Sequence, residues 1–374
     1  MQLSLETLTP LWTGDAEGKP NQLHESGLLG SLRWWYEVIA RGFGCRVSDP
    51  TAEESGLRGQ FDTKAYDDAI KSGLPQEALR RGLTPLCPVS YLFGATGWAH
   101  LFRLNVAEAP TTELHFRTVI PANRSWITKT FGGDKGNIDD LKVPFGKISL
   151  KLSFRGYERL YALQQLALIL TFIQDYASIG AKPQHGFGQF CVTSWPNEIP
   201  DRSLQSGIKA MLGKRTENGW KSLDDSSKSD YNLRNFFSID YIVPRGKLGP
   251  LMSVDNHVGS AGKNNEQKYI PCCLDLRYKG AAPISGMRQW LKYEKRWNEP
   301  ELDILMGRTG KKGKEVKEGE RRAGLVYFGM PYLRDKTYRL RIFGFAPPGL
   351  NVEGNDITPE MLVGLCNEYV ASSL

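Results

Sequence analysis

Gly180-Ala181-Lys182-Pro183-Gln184-His185-Gly186-Phe187-Gly188-Gln189-Phe190-Cys191-Val192-Thr193 joins a long apolar run to a short alternating one. Upstream, residues 157–178 are apolar on more than one side, which predicts a helix held between layers. Downstream, residues 189–193 alternate as a short strand does. Gly180, Gly186 and Gly188 let the turn between them adopt positive φ and approach another group without a Cβ in the way.

The same alternation opens the chain. Leu3-Ser4-Leu5-Glu6-Thr7-Leu8 predicts a half-buried strand, ended by Pro10 and a Gly/Pro loop at residues 14–20. Residues 28–40 then read as a helix whose inward face carries Leu28, Leu32, Trp35 and Ile39. Residues 44–85 are polar and read as an insertion with one short helix at 65–71. Strands are expected at 98–108, 112–120 and 148–154, with a mobile Gly/Asp-rich loop at 131–142.

A similar order recurs after a polar connection at 195–230, which holds a helix at 204–212. Strands are expected at 236–243 and 268–278, a helix at 283–297 and a helical piece at 302–306. A Gly/Lys loop at 307–322, strands at 325–328 and 338–345, and a helix at 358–372 complete the series. Thr358 caps this last helix and Glu360 sits in its first turn. Two strand–helix–strand–loop–strand series predict a duplicated α+β unit, with antiparallel sheets backed by helices. The two units are placed at 1–195, with the insertion at about 44–85, and at 196–374.

Composition narrows the classes. With 374 residues, 40% of them hydrophobic and 24% charged, the chain reads as a soluble globular protein of about two domains. The longest apolar stretch is too short for a bilayer, so no membrane contact is expected. The first residues lack the basic region of a secretory signal. Six scattered cysteines with no CxxC pair point to reduced thiols and the cytoplasm. The net charge of +7 lies mostly in the second half, a bias that suits a polyanion.

No GxxxxGK[ST] is present, and Gly307, Gly310 and Gly313 lack the strand-to-helix setting of a dinucleotide fingerprint. His24, His100, His115, His185 and His257 lie far apart, without metal-ligand spacing, so neither metal nor cofactor is expected. Either His24 or His185 could serve as the general base of a metal-independent ribonuclease. The competing reading makes them packing or surface residues.

Two loops carry the stronger signal. In the first, Lys182, Gln184, His185, Gly186 and Gly188 combine free backbone amides with a cation, the makings of an anion nest. In the second, Arg308, Lys311, Lys312, Lys314, Lys317, Arg321 and Arg322 face only three glutamates. Such a run is either a solvated surface or a grip on a nucleic-acid backbone. On the helix at 28–40, Trp34 falls on nearly the opposite side from the core face, close to Gly30 one turn earlier and flanked by Arg33 and Glu37. It is either a platform for a base or covered by a second layer.

Thr9-Pro10-Leu11-Trp12-Thr13-Gly14 and Leu23-His24-Glu25-Ser26-Gly27-Leu28-Leu29-Gly30-Ser31-Leu32-Arg33-Trp34-Trp35-Tyr36 resemble the N-terminal signature of RAMP-superfamily CRISPR proteins. Cys87-Pro88-Val89-Ser90-Tyr91-Leu92-Phe93-Gly94-Ala95-Thr96-Gly97-Trp98 and the glycine turn at 180–188 are similar to further stretches of the first-numbered RAMP subunits of Cmr (type III-B) effector complexes. The resemblance covers the first half of the chain. It implies two tandem ferredoxin-like (RRM-like) domains and a non-catalytic subunit. That subunit would contact crRNA and target single-stranded RNA near the 3′ part of the guide, beside other RAMP subunits, in antiviral defence. RNA contact carries over to Arg33, Trp34, Lys182, Gln184 and His185, and more loosely to the basic loop. A purely structural adaptor, touching only proteins, is the remaining alternative.

Overall fold

The computed structural model describes residues 1–15, 17–49, 59–114, 128, 130–132, 141–199, 201–222, 229–244, 276–277, 286–307, 323–334 and 337–373. Chain order begins with β1 (Gln2–Thr7), α1 (Glu25–Gly42), α2 (Thr63–Lys71), α3 (Pro75–Leu83) and α4 (Pro88–Phe93). There follow β2 (Phe102–Glu108), β3 (Thr111–Leu114), β4 (Leu141–Pro144), β5 (Lys147–Phe154), α5 (Arg159–Tyr176), β6 (Phe190–Ser194) and α6 (Leu204–Asn218).

The first sheet has the antiparallel order β2-β5-β1-β6. With α1 after β1 and α5 after β5, this is the βαββαβ wiring of a ferredoxin-like fold. Alternation sets the register: Leu3 lies opposite Leu150, Leu5 opposite Ile148, and Leu104 opposite Leu152. All six are buried, in one core with Leu28, Leu32, Trp35 and Leu166 from the helices. The small pair β3–β4 stands outside this sheet.

The long helix α5 is buried on several sides, as its composition demands. Its outer side is covered by α6, where a Cβ on Gly207 would lie 2.5 Å from that of Leu168. Gln165 is buried within α5. Its amide donates to the Gly207 carbonyl at 3.1 Å, and its oxygen accepts from the Tyr36 hydroxyl at 2.8 Å.

The second series comprises β7 (Phe236–Val243), α7 (Met287–Tyr293), α8 (Glu299–Met306), β8 (Val326–Phe328), β9 (Tyr332–Arg334) and β10 (Thr337–Phe345). The two-residue strands β11 (Asn351–Val352) and β12 (Asn355–Asp356) precede α9 (Pro359–Ser373). The antiparallel order β7-β10-β8 repeats the β1-β5-β2 neighbourhood of the first sheet. The recurrence expected from element order is therefore present in the strand pairing. Thr358 caps α9 as expected, its hydroxyl accepting from the Met361 amide at 3.3 Å.

Two expectations are corrected. Leu276 and Arg277 lie in a wide helical turn, not at the end of a strand over 268–278; the rest of that segment is outside the described residues. Arg277 is buried and donates to the carbonyls of Gln184 and Met306, at 3.1 and 3.0 Å, which fixes the turn from its side chain. Within the loop expected at 131–142, Phe131 is a core residue against Trp12, and Leu141 and Lys142 belong to β4.

The halves share apolar packing. Phe343 and Phe345 on β10 join the core of the first sheet, where the rings of Phe345 and Trp35 stack at 6.2 Å. Phe236 meets Trp35 edge-on at 5.8 Å and Phe172 at 5.3 Å. Each such pair adds about 0.5–1.5 kcal/mol beyond area burial.

Candidate nucleic-acid interface

Where the halves meet, a groove of about 540 Å³ opens beside α1. One wall is α1, through Gly27, Gly30, Ser31 and Trp34. The glycine turn adds Gly180, Ala181 and Pro183, and the second half adds Tyr231 and Tyr327. Trp34 is half-buried. Its ring meets Tyr231 edge-on at 5.4 Å and Phe345 at 5.9 Å. A second layer therefore supports Trp34 while leaving part of it in the groove.

The glycine turn is built for packing. Gly180, Gly186 and Gly188 have φ of +88°, +86° and +88°, as their spacing predicted. A Cβ on Gly188 would lie 1.8 Å from the Ile179 carbonyl oxygen, and one on Gly186 would lie 2.5 Å from the Met330 nitrogen. Five of its amides are committed inside the protein. Gly180 donates to the Ser31 hydroxyl at 2.9 Å, Ala181 to the Trp12 carbonyl at 2.7 Å, and Gly188 to the Pro10 carbonyl at 2.8 Å. Those of His185 and Gly186 close the turn onto Lys182 and Pro183. These five amides are therefore not available to the expected anion nest, because a donor already satisfied within the fold has no further N–H to offer.

The side chains of Lys182 and His185 also point inward. Lys182, at φ +58°, sets its ammonium 3.5 Å from the Trp12 ring centroid and donates to the Thr130 carbonyl. Burial pulls its pKa down to about 8. His185 is only 6% exposed and packs edge-on against Phe131. Burial, reinforced by Arg277 and Lys182, holds its pKa well below the ordinary histidine value. Gln184 accepts from Arg277 through its backbone carbonyl. Arg33 lies on the other side of α1 from the groove wall and shares Glu37 with Arg41, at 3.2 and 3.3 Å.

Of the five first-half residues to which RNA contact was carried over (Arg33, Trp34, Lys182, Gln184 and His185), Trp34 alone lines the groove. The basic residues Arg308, Lys311, Lys312, Lys314 and Arg321 lie outside the described residues. Sequence reasoning missed Ser31, Tyr231 and Tyr327. The glycines of α1 were the available signal for the groove, since two glycines a turn apart on one helical face predict a close approach. Tyr231 directly follows the polar connection at 195–230 and had no local signal.

The stretch at 87–98 proves to be a structural corner. Cys87 caps α4 through a reciprocal box with Ser90, and Gly94 turns the chain at φ +92°. Trp98 stacks on Tyr91 at 5.2 Å and on Phe61 at 6.0 Å, and its indole donates to the Tyr91 carbonyl at 2.9 Å.

A family model, described as the RAMP superfamily, matches residues 4–191. The chain belongs to the RAMP superfamily. No curated protein sequence matches it. Among solved structures, this RAMP chain is similar to apo Cmr1 from Pyrococcus furiosus, at 13% identity and a TM-score of 0.47, covering 99% of this chain and 95% of that one. It is also similar to a chain of the type III-B Cmr-beta structure bound to cognate target RNA and AMPPnP in the presence of ssDNA, at 11% identity and a TM-score of 0.47, covering 100% and 99%. Csm3 from Methanopyrus kandleri aligns over 52% of this chain and 77% of its own, at 14% identity and a TM-score of 0.24. Among the described residues, no helix is long and apolar enough to cross a membrane, and no three His, Cys, Asp or Glu side chains gather as a metal site.

Proposed function

We propose that this RAMP protein is a non-catalytic RNA-binding subunit of a type III-B (Cmr) CRISPR effector complex. It contacts guide or target RNA near the 3′ part of the guide and sits beside other RAMP subunits in the cytoplasm. The observation that carries this reading is the groove between the halves, open beside α1 and bordered by Trp34, Tyr231 and Tyr327. Aromatic edges beside a glycine-smoothed helix suit unstacked bases, which every nucleotide presents whatever its sequence. Guide pairing supplies sequence recognition, so the protein needs only to hold shape and backbone. Phosphate contact is assigned to the basic segment with Arg308, Lys311, Lys312, Lys314 and Arg321. In the glycine turn, Lys182 and His185 pack on Trp12 and Phe131, and Gly186 and Gly188 fit against Met330 and Ile179, which fixes the turn that carries Gly180, Ala181 and Pro183 to the groove.

The burial of His185 favours the non-catalytic reading, since a general base must come within hydrogen-bond reach of the proton it removes. The test is fluorescence anisotropy with a labelled oligouridylate. Trp34→Ala is expected to weaken binding about tenfold, the worth of one base stacked on an aromatic ring. Unchanged binding removes the groove from the RNA path. Incubation with repeat RNA in EDTA is expected to leave it intact. Cleavage that disappears in His24→Ala or His185→Ala transfers the protein to the metal-independent endoribonucleases of guide processing.

A further inference from the structure

Between α1 and the sheet-edge strand β2 lies a second cleft, of about 410 Å³. Gly30 borders both this cleft and the groove, and a Cβ placed there would meet nothing within 4 Å. The helix surface at Gly30 is thus a clear saddle from one to the other.

The cleft has an apolar floor and a cationic rim. Leu29, Phe93 and Phe102 form the floor. Arg33 from α1 and Arg103 from β2 lie on the rim with His100. Arg103 and Arg155 both act on His100 and, after burial, help lower its pKa, so this side of the cleft is electropositive. The acid on the rim, Glu25, is committed to the protein. One carboxylate oxygen accepts from the Val106 amide at 2.8 Å, and both accept from the Asn105 amide group at 3.3 Å. Glu37 is divided between Arg33 and Arg41, which leaves Arg33 only partly neutralised.

We propose that the cleft takes the next nucleotide of the single-stranded RNA held in the groove, with its base on the Phe93 side of the floor and its phosphate between Arg33 and Arg103. The proposal rests on the RNA reading of the groove. An apolar floor under a guanidinium rim complements a base joined to a phosphate. A strand already held in the groove also reaches the cleft as an intramolecular step, at high effective concentration. RNA is favoured over a protein segment by this charge and by the continuity across Gly30.

The experiment compares a uridylate tetramer with a decamer on the full chain, using anisotropy and 4-thiouridine crosslinking. Wild type is expected to bind the decamer more tightly and to crosslink it to the peptide containing Phe93. Arg103→Ala with His100→Ala, both on the rim, is expected to weaken decamer binding about tenfold and to abolish that crosslink. Trp34→Ala is expected to weaken both lengths. If the double variant binds the decamer as wild type does while Trp34→Ala is impaired, the groove stands and the cleft proposal is overturned. If Trp34→Ala binds both lengths normally, the groove reading fails and takes the cleft with it. Crosslinks from the cleft to a neighbouring subunit in the assembled complex, with none to RNA, assign it to protein docking and likewise overturn the proposal.

Discussion

Arg341 on β10 grips Asp240 on β7 through two parallel hydrogen bonds, Nε to Oδ1 at 2.8 Å and Nη2 to Oδ2 at 2.9 Å. The remaining nitrogen, Nη1, donates to the carbonyls of Gln174 and Ala177 at the end of α5, at 2.8 and 3.2 Å. One buried guanidinium thus joins the second sheet to the helix of the first half. The Arg341 side chain is 4% exposed and that of Asp240 is 32% exposed.

Replacing Arg341 tests that joint. Arg341→Ala strands an acceptor pair and two carbonyls, and should cost about 3 kcal/mol. Arg341→Lys should recover little, because a point charge cannot make the two-pronged contact. The urea midpoint at constant m-value reads both.

Two glycines make an opposed pair. Gly188→Ala sets a methyl against the Ile179 carbonyl at positive φ, and should cost about 3 kcal/mol or more. Gly30→Ala, inside α1 and facing open space, should instead stabilise by up to about 1 kcal/mol. Thermal melts of the two variants should move in opposite directions.

Acid should weaken the fold through His185. The unfolded chain takes up a proton near pH 6.5 that the folded protein, with its depressed pKa, refuses. Stability from this group is therefore present above about pH 6.5 and falls away as pH drops below it. His100, shifted in the same direction, adds to the effect. His185→Gln should flatten the fall in urea midpoint between about pH 7 and 5.

Lys182 acts at the other end of the scale. The folded protein sheds its proton near pH 8, while the unfolded chain keeps it to about pH 10.4. The fold thus gains stability from this group as pH rises through that window. Whatever the Lys182→Met difference is at pH 7, it should shift in favour of wild type by about pH 9.5 when the two melts are compared.

Salt dependence tests the basic segment. Reversing Lys311, Lys312 and Lys314 should weaken oligouridylate binding for every sequence alike. It should also lower the slope of log K against log salt by about 0.7 for each phosphate that is no longer neutralised.

Much of the fold was legible because periodicity is local. β1, α1, β5, α5, β7 and β10 fall within a few residues of where alternation and helical spacing put them. The α3 helix was missed because its apolar face is short and charged residues surround it. The glycine turn shows the limit more sharply. Its positive φ values followed from composition, but the destination of its amides did not. Pro10, Trp12 and Ser31 lie far away in sequence, and only the folded sheet brings their acceptors to the turn. Trp34 was recognisable as a residue off the core face. Its backing by Tyr231 and Phe345 depends on how the halves dock, which no local pattern encodes.

The aromatic wall behind Trp35 carries a mechanical consequence. Because Phe343 and Phe345 reach across into the other half, swinging the second sheet away from α1 would expose buried rings to water. The gap beside Trp34 takes its width from those buried rings. Whatever threads it must conform to the protein.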